Sequence, residues 1–325
     1  MVDGLNGHSP GGRGFAVLGF LWVMVQGALS AFTQSIGPGV TNAGWTLETL
    51  SYEGTIEQAR ALAVGPQGRL LITSSERVLG PGLTSEEDSS LAVAERGFRS
   101  VADRLGFQRS MKSRSMMADW NGDGATNADD WFVGRERIHW IELDKNGFIP
   151  KSSGELLVVP SKMESRVIGT TYWDDRHLYL GFPPEIQRFP LSRSFQLGKR
   201  PSTFAGGIGV RFSKADHGIN AIVKGLDGWV YWSVGDMGTD GSHFDGGAIY
   251  RSQADGSARE VFATGFRNPI SLVFDPLGNL WTIDQLSGAE GQSRLLQVAQ
   301  GADYGWRYGN RESGSEGYAW SLRVL

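Results

Sequence analysis

Apolar residues in this chain come in short alternating runs broken by Gly and Asp. Four stretches repeat one design: residues 61–72, 167–180, 219–232 and 270–281. In each, apolar alternation meets a turn containing Gly or Asp, then resumes with two or three β-forming residues. Such a pattern predicts strand, tight turn, strand, because Gly and Asp accept the positive φ values of the turn. The turn residues Gly228 and Gly278 stand 50 apart, and Asp175 lies 53 before Gly228. Gly68 lies 107 before Asp175, about twice that period, and a weaker unit at 137–147 fills the gap. A period near 50 with about four strands per unit predicts a β-propeller. Five units fit before Leu325. An irregular β-sandwich with coincidental hairpins is the competing architecture.

One stretch breaks the rhythm. Between Ser85 and Lys112, Arg96, Arg99, Arg104 and Arg109 alternate with Leu91, Val93, Phe98, Val101 and Leu105. This spacing predicts an amphipathic helix inserted between the first and second blades. The adjoining residues 119–130 fit a twelve-residue calcium loop. Oxygen ligands fall on Asp119, Asn121, Asp123 and Asn127, with the Ala125 carbonyl at position 7 and Asp130 at position 12. Gly124 stands at position 6, where the loop turns sharply. Asp130 replaces the usual Glu, and its shorter carboxylate reshapes the bidentate contact. The alternative is an Asx-rich surface turn. The expected layout is therefore a β-propeller domain over 45–325 with an insertion at about 85–135. Asp144-Lys-Asn-Gly147 reads as a hairpin turn.

Composition narrows the function. The chain has 325 residues, 46 of them Gly and 11 Trp, and no Cys. The absence of Cys excludes a disulfide scaffold, a thiolate zinc site, a cysteine nucleophile and covalently attached c-type haem. A net charge of −4 without a basic run argues against a nucleic-acid partner. At the N-terminus, Arg13 precedes an apolar run from Phe15 to Val25, then Ala28-Leu-Ser-Ala31. A positive start, a short apolar run and an A-x-A-like end describe an export signal. Residues 1–31 are thus expected to be a signal peptide, or an uncleaved anchor that is the one membrane contact. The expected location is the periplasm or the exterior.

The second half carries a family resemblance. Its residues are Ala215-Asp-His-Gly-Ile-Asn-Ala-Ile-Val-Lys-Gly-Leu-Asp-Gly-Trp-Val-Tyr-Trp-Ser-Val-Gly-Asp236, Thr264-Gly-Phe-Arg-Asn-Pro269, Phe274-Asp-Pro-Leu-Gly-Asn-Leu-Trp281 and Gly301-Ala-Asp-Tyr-Gly-Trp-Arg307. This part of the chain resembles the glucose/sorbosone dehydrogenases, the soluble quinoprotein sugar dehydrogenases. It is similar too to the propeller domains of planctomycete-type membrane-bound dehydrogenases. The resemblance implies a six-bladed propeller; with the five units and the helical and calcium-loop insertion read above, the expected fold is an all-β, six-bladed-type propeller that is C-terminally incomplete, with about five blades in view. The resemblance also implies pyrroloquinoline quinone (PQQ) with Ca2+ over the central channel, and a sugar or alcohol substrate with a periplasmic electron acceptor. By motif, His217 corresponds to the base that takes the hydroxyl proton. Asp236 corresponds to the carboxylate that orients it, and Arg267 and Asn268 to a quinone-contacting pair.

These roles make chemical sense. Oxidising a hydroxyl requires a base titrating near neutrality, and a carboxylate on the far ring nitrogen fixes the tautomer. A planar guanidinium suits a polycarboxylate cofactor. Each residue also has a structural reading. His217 could be a turn residue at a blade edge, Asp236 a cap on the Gly235 turn, and Arg267-Asn268 a bracket between blades. Two rival functions follow: a non-catalytic propeller binding carbohydrate or protein, and a calcium-dependent lactonase-like hydrolase for which no convergent ligand set is evident.

Overall fold

The computed structural model describes residues 56, 59–65, 69–75, 100–110, 123–125, 135–144, 150–160, 171–207 (apart from 175, 183 and 193), 218–236, 247–285 and 293–307. They form fifteen strands and one helix. The strands make four antiparallel meanders that follow one another along the chain. The first contains β1 (Ala59–Val64), β2 (Arg69–Ser75), β3 (Arg135–Leu143) and β4 (Pro150–Pro160). The second contains β5 (Thr171–Trp173), β6 (His177–Phe182), β7 (Glu185–Pro190) and β8 (Ser202–Ala205). The third contains β9 (Ile219–Lys224), β10 (Val230–Val234), β11 (Gly247–Ser252) and β12 (Glu260–Phe266). The fourth contains β13 (Val273–Phe274), β14 (Leu280–Asp284) and β15 (Arg294–Val298). The first strands β1, β5 and β9 neighbour one another in turn. Successive meanders sharing an inner row of first strands define an all-β, propeller-type architecture.

All four expected hairpins are present, and the turns at 225–228 and 275–278 share one construction. Gly228 N–H donates to Gly225 O and Gly278 N–H to Asp275 O, both at 3.0 Å. Each turn then closes through a left-handed glycine, with φ of 85° at Gly228 and 87° at Gly278. This is a type I turn followed by an αL residue, which suits the strand twist. An Asp side chain fastens both of these turns. Asp227 accepts from Trp229 N–H, and Asp275 accepts from Leu277 and Asn279 N–H. Asp174 plays the same part for Arg176 and His177. Hydrogen bonds from Asn279 and Trp281 hold the Asp275 carboxyl down at about 2.

The blade count and the site of the insertion depart from expectation. Residues 137–147 are not a separate blade. They contain most of β3, which pairs with β2 from Arg69↔Glu142 to Ser75↔Glu136, and the start of its connection to β4. Four sheets therefore stand among the described residues where the periodicity suggested five. The helix α1 (Val101–Ser110) lies between β2 and β3, inside the first sheet and not between two blades. It opens with a capping box: Asp103 N–H donates to Ser100 Oγ, and Ser100 N–H to Asp103 Oδ2. The remainder of the 85–112 stretch lies outside the described residues, as do residues 1–55 and the export signal.

Packing explains why the inner strands read as unbroken apolar runs. Along β10, Val230, Trp232 and Val234 face the second sheet, meeting Tyr179, Ile186 and Phe204. The alternate residue Tyr231 faces the fourth sheet with Ile249, Phe262, Phe266 and Leu280. Along β6, Leu178, Leu180 and Phe182 meet Leu71 and Ile138 of the first sheet, while Tyr179 looks the other way. A sheet covered on both faces has no polar alternation to show. Aromatic edges knit the second interface: Tyr179 to Phe204 at 5.1 Å, and Phe204 to Trp232 at 5.8 Å.

Backbone geometry and burial set the expected response to substitution and to pH. Gly228 has open space where a Cβ would go, so Gly228→Ala carries only left-handed strain of about 1–2 kcal/mol. Gly265 has φ of 79°, and a Cβ there would sit 2.5 Å from Gly305 N and 2.7 Å from Tyr304 N. Gly265→Ala must move backbone and is expected to cost about 1–3 kcal/mol more, read by urea unfolding. In the first sheet, the buried His139 Nε2 lies 2.9 Å from Ser74 Oγ. Burial lowers its pKa from 6.5; Glu155 opposes and Arg137 assists. The unfolded chain then binds the extra proton, so stability is full above pH 6.5 and falls as the pH drops towards the folded value. The slope is at most about 1.4 kcal/mol per pH unit. Subtracting the pH–stability curve of His139→Gln from the wild type isolates this contribution; a flat difference would contradict it.

Candidate functional site

The β9–β10 ladder ends where the expected chemistry begins. Gly235 N–H donates to Gly218 O at 3.1 Å. The next residue on one side is His217, which lies outside the described residues; the next on the other is Asp236. Asp236 is buried, and two partners fix it. Its backbone N–H donates to Arg267 O at 2.7 Å, and its Oδ2 accepts from Trp306 Nε1–H at 3.1 Å. Asp236 is thus no simple cap on the Gly235 turn.

Trp306 arrives through the segment after β15. Residues 302–306 run beside β12: Thr264 N–H donates to Ala302 O, Tyr304 N–H to Thr264 O, and Trp306 N–H to Gly265 O at 2.8 Å. This close approach is what requires glycine at 265. The indole is wholly buried, and the Arg267 guanidinium sits 5.8 Å from its ring centroid. A cation against an aromatic face in a desolvated setting contributes up to about 2 kcal/mol.

Residues 267–269 are the crossover from the third sheet to the fourth, and β14 anchors them. Asp284 Oδ1 accepts from the backbone N–H of both Arg267, at 3.0 Å, and Asn268, at 2.8 Å. Its other oxygen accepts from Arg294 on β15 at 2.6 Å. Asp284 and Arg294 face each other directly in the β14–β15 register. Burial pushes the Asp284 carboxyl above its usual range, while Arg294 and the two backbone N–H groups pull it back.

Asn268 is fully buried, and both ends of its amide meet protein. Its Nδ2–H donates to Gln285 Oε1 at 3.0 Å, and its Oδ1 accepts from Asn220 Nδ2 at 2.6 Å. Ser233 Oγ–H donates to Pro269 O at 2.8 Å, and Arg267 donates to Gln285 O at 3.1 Å. Asn220 and Ser233 belong to the third sheet and Gln285 follows β14, so the Arg-Asn-Pro motif links the two sheets.

The structure brings together Asp236, Arg267 and Asn268 from the predicted set. Of the calcium-loop positions, Asp123 and Ala125 are described, with Ala125 N–H donating to Asp123 Oδ1 at 2.8 Å. Gly124 between them has φ of 84°, the sharp turn expected at that position. Asp119, Asn121, Asn127 and Asp130 lie outside the described residues, and so does His243, a loop histidine. Six participants were missed: Asn220, Ser233, Asp284, Gln285, Arg294 and Trp306. A signal existed for Asp284. It follows Leu280 and Thr282 on the inward-facing alternation of β14, so an acid there had to be buried and paired.

The sheets define a propeller-type fold, and one segment of the chain carries a family match. Residues 212–318 match the family model described as Glucose / Sorbosone dehydrogenase. Over that segment the chain is glucose/sorbosone dehydrogenase-like. No protein of curated function matches the chain. Three solved structures are similar in outline. A PQQ-bound aldose sugar dehydrogenase of Streptomyces coelicolor is 17% identical, with 83% of this chain and 68% of that one covered and a TM-score of 0.44. An oxidoreductase of Thermus thermophilus given as a glucose dehydrogenase is 18% identical, with 78% and 65% covered and a TM-score of 0.43. A calcium structure of a Trichoderma reesei carbohydrate-active enzyme of family AA12 is 11% identical, with 85% and 61% covered and a TM-score of 0.49. The chain thus spans 61–68% of the length of these three.

For a quinone with carboxylates, the two motif residues divide. Arg267 offers a permanent positive charge held against Trp306, which fits one contact to such a group. Asn268 has no described polar atom turned from the protein, which fits the bracket. Trp306→Phe keeps the packing but removes one donor from a buried carboxylate. It is expected to cost about 1–3 kcal/mol, measured by denaturant unfolding; an unchanged midpoint would count against the Asp236–Trp306 bond.

Proposed function

We propose that this chain is a periplasmic or secreted, PQQ-dependent sugar or alcohol dehydrogenase-like protein. The observation that supports this most is the buried Asp236–Trp306–Arg267 arrangement one residue beyond the Gly218–Gly235 pair. It brings a carboxylate and a guanidinium to the end of the ladder that His217 adjoins in sequence. Arg267 would hold a carboxylate of the cofactor, and Asp236 and His217 would serve the substrate. Bound PQQ would supply the two-electron acceptor for a hydride. His217 takes the proton of the hydroxyl that is oxidised, and the product is the carbonyl. Asp236 holds the imidazole in one tautomer and stabilises the imidazolium as it forms. Trp306 keeps Asp236 from turning away and excludes water. The loop at 119–130 would bind Ca2+ through Asp119, Asn121, Asp123, Ala125, Asn127 and Asp130, stiffening the insertion inside the first sheet. Residues 1–31 would direct export or anchor the chain, and a periplasmic carrier would accept the electrons.

One observation favours the second reading, a non-catalytic propeller that binds carbohydrate or protein. The Asn268 side chain, which the resemblance assigns to the cofactor, is spent on Asn220 and Gln285. The two readings part in a single titration. The full chain is mixed with PQQ and Ca2+, then with a panel of aldoses and alcohols, while quinone absorbance is followed. The dehydrogenase reading expects saturable binding, then reduction that slows at least about 100-fold in His217→Ala. A folded protein that binds no PQQ would leave the binding propeller.

A further inference from the structure

We propose that Asp284 is a positioning residue for this site: with Arg294 as its counterion, it sets the Arg267–Asn268 backbone and, through it, the places of Arg267 and Asp236. The carbonyls of this crossover accept from backbone, Arg267 O from Asp236 N–H and Asn268 O from Gln285 N–H, while its first two N–H groups turn to a side chain. Two successive N–H groups point the same way, and one carboxylate oxygen takes both. That shared acceptor leaves the Arg267 carbonyl turned towards Asp236 N–H. It also leaves the Arg267 side chain directed over Trp306 and the Asn268 amide directed between Asn220 and Gln285. The second oxygen is occupied by Arg294, whose guanidinium also reaches Tyr304 O at 3.4 Å in the segment that carries Trp306. Asp284 therefore acts on the site from both sides: on Arg267 directly, and on the Trp306 segment through Arg294. A buried carboxylate is kept only with donors on both oxygens, and the Arg267 and Asn268 N–H groups and Arg294 supply three.

The part of this inference that concerns cofactor affinity rests on the dehydrogenase reading; the part that concerns the backbone does not. Both are measured on the full chain carrying Asp284→Ala, Arg294→Gln, or the pair Asp284→Asn with Arg294→Gln. Amide hydrogen exchange at Arg267 and Asn268 reads the backbone, the Trp306 indole N–H resonance reads the site, and PQQ titration reads the cofactor. In Asp284→Ala, both amides are expected to exchange at least about tenfold faster, since two buried donors lose their acceptor. The Trp306 indole resonance moves, PQQ affinity falls at least about tenfold, and amides of Leu178 and Leu180 in the second sheet keep their protection. The paired variant retains an amide oxygen as acceptor and removes the stranded guanidinium. It is expected to restore amide protection and affinity to within about threefold, and it carries the test should Asp284→Ala not fold. Unchanged exchange at Arg267 and Asn268 in Asp284→Ala overturns the proposal. So does loss of protection shared equally with Leu178 and Leu180, or a paired variant that folds without regaining either readout. A wild-type protein that binds no PQQ, yet shows the exchange pattern, sinks the cofactor reading and leaves the positioning role standing.

Discussion

A β-sheet that is apolar on both faces must be covered on both, and most of this structure follows from that requirement. β6 and β10 send alternate residues to opposite neighbours: Leu178 and Leu180 against Tyr179, and Trp232 against Tyr231. Each such side chain contributes on the order of 2 kcal/mol when removed from water, so a lone sheet of this composition would not persist. Stacking sheets face to face, with first strands on a common inner side, satisfies the requirement with short connections. It also concentrates crossover segments at the sheet ends, where backbone leaves one ladder before joining the next.

Those crossovers are where the polar chemistry collects. A crossing backbone leaves one ladder before joining the next, so its N–H and C=O groups draw on side chains as well as strand ends. Between the third and fourth sheets, Asp284 accepts from the Arg267 and Asn268 N–H groups, the Asp236 and Gln285 N–H groups donate to the Arg267 and Asn268 carbonyls, and Asn220 and Ser233 donate to Pro269 O. The same bonds orient Arg267 and Asp236. Structural bracket and candidate site are therefore one object, and the two meanings of the Arg-Asn-Pro motif do not compete at every residue. Asn268 is committed to the bracket, while Arg267 keeps a charged group beside Trp306.

The hairpins were legible because their determinants are local. A left-handed glycine at 228 or 278, an Asp whose side chain fastens the turn, and apolar runs on either side all lie within fourteen residues or fewer. The first sheet was misread for the opposite reason. β2 and β3 pair across a long insertion, from residue 75 to residue 135, and no local pattern tells a returning third strand from the start of a new blade. The missed site residues share that difficulty. Asn220 and Asn268 are 48 positions apart, and Trp306 and Asp236 are 70 apart.

The amino-acid order by itself determined the kind of element, the turn chemistry and the candidate chemical groups, since propensity, turn geometry and side-chain pKa are properties of residues and their near neighbours. Tertiary structure alone decided which sheet β3 joined and which acid was buried with Arg294. It alone decided that the Asp236 carboxylate would be held by an indole. Those outcomes depend on which distant surfaces exclude water together, and burial, unlike propensity, is a property that no segment of this chain has on its own.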